Sequence, residues 1–94
     1  MTKVLYVEHN DDNIYMLKTR LELGGFEVLA TSDSESGCEL AVTEHPDVIL
    51  MDLEMPVLDR WEALRTLKND PQTRDIPIIG MSAYALDSER EQAI

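Results

Sequence analysis

One cysteine, Cys38, is all the sequence contains, so the chain can form no internal disulfide. Its apolar neighbours Ala41 and Val42 predict a buried helix residue in place of a reactive thiol. Basic residues are also scarce: eight Lys and Arg against nineteen Asp and Glu leave a net charge of -11. Binding to nucleic acid depends on cations that neutralise phosphates, so direct nucleic-acid binding is not expected. A basic partner or a divalent cation suits the charge better, and most of the carboxylates are expected to be solvated surface. No apolar run approaches the ~20 residues that span a bilayer, and Met1 to Leu5 leads into a strand-like run without the features of a signal peptide. No membrane contact and a cytoplasmic location are therefore expected. Linkers, low-complexity tracts and short repeats are lacking too, and 94 residues suffice for one small domain, taken as 1–94.

Short apolar runs make up much of what is present. Val4 to Val7, Val48 to Met51 and Ile76 to Ile79 suit strands buried on both faces. Phe26-Glu27-Val28 alternates, which suits a strand nearer an edge. Between these runs the apolar spacing becomes helical. Ile14, Leu17 and Leu21 share a face after Asn10 to Asp12, and Gly24-Gly25 supplies a left-handed stop. Cys38, Ala41 and Val42 mark a second helix, with Ser32 and Glu35, or Ser34, near its start and His45-Pro46 at its end. A third helix puts Trp61, Leu64 and Leu67 on one side, between Asp59 and the breaker Asn69-Asp70-Pro71; Asp87 or Ser88 opens a fourth. Strands separated by helices describe consecutive right-handed βαβ units, hence an α/β fold with a doubly wound parallel sheet.

Ligands of such sheets bind beyond the carboxyl ends of the strands, where strand order reverses. In the flavodoxin-like order 2-1-3-4, the first strand's Glu8-His9-Asn10 and the third strand's Asp52 meet at that point. Ser82 follows the fourth strand and offers a hydroxyl to the same crevice.

The whole chain resembles the receiver domain of response regulators in two-component signalling. The resemblance is carried by Glu8-His9, by Asp52-Leu53-Glu54-Met55-Pro56 with Leu58-Asp59, and by Ser82-Ala83, each in order and at its strand end. It implies that Asp52 is the phosphoacceptor for a histidine kinase or phosphotransfer protein in a phosphorelay. It also implies that Glu8, His9 and Asp52 handle Mg2+, that the main-chain carbonyl of Glu54 completes the metal shell, and that Ser82 is the switch residue. A carboxylate attacks phosphorus only when the charge on the equatorial oxygens is neutralised, and carboxylate and carbonyl oxygens suit Mg2+.

Three departures from the family pattern stand out. His9 replaces a second acid, and imidazole suits softer first-row ions better than Mg2+, so the metal site is weakened or His9 is a solvated loop residue. Arg60 stands where the family commonly has Gly, so it either takes a positive-φ site or begins the third helix after an Asp59 cap. The family's fifth strand and helix, with a phosphoryl-pairing Lys, have no counterpart within residues 1–94, and Tyr84 cannot be assigned the family's switch aromatic. The fourth strand would then be an edge open to self-association. Two rival readings follow: a receiver-like interaction module that works without phosphorylation, and an aspartyl phosphatase, which Asp52-Leu53-Glu54 resembles poorly because such enzymes carry Asp-x-Asp. A non-enzymatic role is expected.

Overall fold

A computed structural model describes residues 1–53, 55 and 57–81. Seven elements follow one another: β1 (Lys3–Val7), α1 (Asp11–Leu23), β2 (Glu27–Thr31), α2 (Ser34–Glu44), β3 (Val48–Asp52), α3 (Val57–Asn69) and β4 (Ile78–Met81). The strands are parallel in the order β2-β1-β3-β4. This is the flavodoxin-like arrangement expected from the apolar runs, with no fifth strand among the described residues.

The period-2 alternation of a strand explains the two core faces. Leu5 and Val7 of β1 join Ile49 and Met51 of β3 beneath Ala41 of α2 and Ala63 and Leu67 of α3. Val4, Tyr6 and Leu50 point the other way, toward Ile14, Leu17 and Leu21 of α1. Among the described residues α1 alone covers that second face, and none of its own residues is fully buried.

Helix ends follow local chemistry. The Asn10 side chain accepts from the backbone N–H of Asp12 and Asn13 and caps α1. At the far end Gly25 takes φ +93, while Gly25 N–H donates to the Glu22 carbonyl and Phe26 N–H to that of Leu21. That paired closure requires the left-handed residue the Gly-Gly pair supplies. Asp33, not Ser32 or Ser34, caps α2, because its carboxylate accepts from both the N–H and the hydroxyl of Ser36. His45 ends α2 in the left-handed region at φ 49, just before Pro46.

Several boundaries differ from the sequence reading. α3 starts at Val57, so Arg60 lies inside regular helix and requires no positive φ, and Asp59 is a first-turn charge. Trp61 does not join Leu67 on the core face: at ~100° per residue the two are ~120° apart, and Ala63 takes the buried place instead. β2 begins after Phe26, which is spent closing α1. β4 begins at Ile78 because Ile76 N–H is still bonded to the Thr73 carbonyl in the preceding turn. Cys38 is half-buried against the α2/α3 core, and burial pushes its thiol pKa up, which fits the unreactive role expected of it.

Candidate metal and phosphoryl site

Register brings the site together. Val7 pairs with Met51 across the β1–β3 ladder, so the residues that follow, Glu8 and Asp52, leave neighbouring strands side by side. Glu8 N–H donates to the Thr31 carbonyl at 3.0 Å, extending the pairing one residue past β1. Both carboxylates are buried, Glu8 with 1% and Asp52 with 0% of its surface accessible. Charged groups are rarely buried like this unless they are paired or bind metals.

The Tyr6 hydroxyl donates to Glu8 Oε2 at 2.8 Å and the Asn10 N–H donates to Oε1 at 3.3 Å. His9 Nδ1 lies 2.5 Å from Asp52 Oδ2 and 3.4 Å from Glu8 Oε1, while half of the imidazole stays accessible. Burial pushes the Glu8 pKa up, helped by a hydrogen bond to Asp52 that only the protonated acid can donate and by repulsion from the Asp52 charge. The bonds from Tyr6 and Asn10 pull the other way but do not reverse the direction.

Donor atoms of Glu8, His9 and Asp52 all lie within 4.8 Å of one another, close enough to share one ion. Two buried carboxylate oxygens fit a divalent cation; the third donor, an imidazole nitrogen, departs from the oxygen shell that Mg2+ favours. Beside the cluster an open cleft of about 520 Å³ runs past His9 between Ser32 to Ser36, Met55 and Asp59. Glu54 and Ser82, and with them Tyr84 and the expected fourth helix, lie outside the described residues. Tyr6 was not singled out from the sequence because it sits within an apolar run. Its place two residues before Glu8, on the same side of the extended chain, is the signal that would have found it.

The comparisons with known proteins agree with this arrangement. A family model described as the response regulator receiver domain matches residues 4–94. The polar-differentiation response regulator DivK of Brucella ovis is 36% identical over 93 residues, which cover 98% of this chain and 76% of that protein. Among solved structures, the receiver domain of the sensor histidine kinase PA1611 from Pseudomonas aeruginosa PAO1 superposes with a TM-score of 0.80 at 33% identity, covering 96% of this chain and 74% of the other. That structure carries a magnesium ion coordinated in its active-site cleft. The N-terminal domain of a response regulator receiver protein from Methanoculleus marisnigri JR1 gives a TM-score of 0.79 at 27% identity, over 96% of this chain and 77% of that one. With the fold, the strand-end carboxylates and these likenesses in agreement, the chain belongs to the response regulator receiver domain family of two-component signalling.

Proposed function

We propose that this domain accepts a phosphoryl group on Asp52 from a phosphohistidine of a histidine kinase or phosphotransfer protein and relays it within a cytoplasmic phosphorelay. The observation that carries this reading is the wholly buried Asp52 carboxylate at the carboxyl end of β3, beside the equally buried Glu8. A carboxylate oxygen of Asp52 attacks phosphorus, a P–O bond forms as the N–P bond breaks, and the electron pair stays with the donor imidazole, which takes up a proton.

Glu8 and Asp52 would hold a divalent cation, Mg2+ by analogy with the family, with the carbonyl of Glu54 as a further ligand. Bound there, the cation supplies charge neutralisation for the oxygens of the transferred group. The Tyr6 hydroxyl fixes one Glu8 oxygen and leaves the other toward the site. Ser82 is the proposed switch hydroxyl. The acceptor is used once per transfer and does not turn over an external substrate, so phosphate monoesters should be left intact.

Incubation with acetyl phosphate and a divalent cation, followed by intact mass, tests the proposal. One added phosphoryl group in the wild type and none in Asp52→Asn is the expected result. Stable labelling of Asp52→Ala would overturn it, and an unlabelled wild type with every cation would leave a receiver fold that binds partners without phosphorylation.

A further inference from the structure

His9 is held where a metal ligand must be, by a short segment anchored at both ends. On one side Glu8 N–H is bonded to Thr31, and on the other Asn10 caps α1 with its side chain and donates its own N–H to Glu8 Oε1. Between these two ties the backbone of residue 9 has little freedom. Its Nδ1 is turned inward to the two buried carboxylates. The rest of the ring faces the open cleft, where water can accept a hydrogen bond from Nε2–H. With the ion absent, the short contact between Nδ1 and Asp52 Oδ2 holds a proton. Ion binding displaces that proton, and the tautomer with the proton on Nε2 then gives Nδ1 a lone pair for the metal.

The donor set is therefore one nitrogen and two carboxylate oxygens. Mg2+ is small and hard, requires near-octahedral oxygen ligation and gives up water reluctantly, so an imidazole in its shell weakens it. First-row transition dications accept imidazole readily, and in mixed nitrogen and oxygen sites their affinity rises along the Irving–Williams order. We infer that the site prefers a first-row transition dication of the Co2+, Ni2+ and Zn2+ class to Mg2+, and that His9 Nδ1 sets the preference by ligating the ion directly. The inference rests on the proposed site for its location alone. Whether phosphoryl transfer follows is a separate matter.

Preference for such ions over Mg2+ is common to many sites, so the discriminating quantity is how far it depends on residue 9. Calorimetric titration of the 94-residue protein with Mg2+ and with Co2+ supplies it, for the wild type, His9→Asp and His45→Ala. His45, beyond α2 at the opposite end of the sheet, reports adventitious binding to an exposed imidazole. The expected result is that His9→Asp lowers the ratio of Co2+ to Mg2+ affinity by about tenfold or more, the scale seen when even an outer partner of a metal site is disturbed. His45→Ala should leave the ratio unchanged.

Pulsed electron paramagnetic resonance of the Mn2+-loaded wild type gives a second readout that depends on no variant folding well. Coupling to a directly bound imidazole nitrogen is expected, and it should vanish in His9→Asp. An unchanged ratio in His9→Asp, a ratio lost equally in His45→Ala, or a wild type without nitrogen coupling would each overturn the inference. Should Asp52 never be labelled while the ratio and the coupling behave as expected, the phosphoacceptor reading falls and this one stands. Labelling of Asp52 with an unchanged ratio is the reverse case.

Discussion

Glu8 is buried beside a second carboxylate, and its ionisation is opposed by both circumstances. Its pKa in the folded state is raised above the ordinary glutamate value of about 4.3. The folded protein therefore binds more protons than the unfolded chain between those two values. This contribution to stability is present at low pH and is lost as pH rises through the window and Glu8 ionises. In chelator-treated buffer, Glu8→Gln should exceed the wild type in stability by a margin that grows with pH across the window. A margin of about 1 kcal/mol at neutral pH would appear as roughly 4–8 °C in melting temperature for a chain of this size. Thermal melts of both forms at several pH values check it, and a margin independent of pH would show that Glu8 does not titrate as described. The two carboxylates were legible in the sequence because they end apolar runs, and a charge there has no reason to be buried unless a site needs it. The Tyr6 hydroxyl was not, because a run buried on both faces hides which of its members carries a polar end.

At the scale of the element, α2 approaches the sheet closely at Gly37. A Cβ placed there would meet Val7 Cγ2 at 2.8 Å and Thr31 Cγ2 at 3.5 Å. Alanine in a helix interior normally gains about 1 kcal/mol over glycine. Overpacking a filled core costs about 1–3 kcal/mol. Val7 is buried to 2% accessibility and, as a β-branched residue in a strand, has a stiff χ1, so the clash should outweigh the propensity. Gly37→Ala is expected to lower stability by up to about 2 kcal/mol, and Val7→Ala should remove most of that penalty when the two are combined. Denaturant unfolding of the two single variants and the double variant decides it, additive effects counting against the contact. Helix ends set by Asn10, Gly25 and His45 were readable because each uses chemistry local to the chain. The face of α3 was not readable. Trp61, Leu64 and Leu67 are apolar at plausible spacing, and only the packed sheet shows that small Ala63 takes the position over the core while Trp61, 61% exposed, borders an outer groove. The start of β4 was blurred for a similar reason: Ile76 is apolar yet still belongs to the turn bonded to Thr73.

At the scale of the whole molecule, the outer edge of β4 has no strand partner among the described residues. Ile79 is half-exposed, and Leu53 and Trp61 line a neighbouring groove of about 410 Å³ with Arg60 and Leu64. Such an edge invites pairing, whereas a net charge of -11 opposes the approach of a second copy. The 94-residue chain is therefore expected to self-associate weakly at low salt and more strongly as salt screens the charge. Sedimentation over a range of protein and salt concentrations tests this, and a concentration-independent monomer at high salt would count against it. The order of the strands in space also has a consequence in time. β1 is synthesised before both of its neighbours, β2 and β3, and Val4 pairs with Val48. At ~5–20 residues per second, the ribosome leaves β1 without β3 for ~2–9 s. During that interval β2 and α1 are already available to Val4–Val7, but the edge that β3 will take stays open to other chains, with the charges of Lys3 before the segment and Glu8 behind it to oppose such pairing. A strand that ends up inside the sheet thus spends its first seconds with an open edge, where a chaperone would shield it.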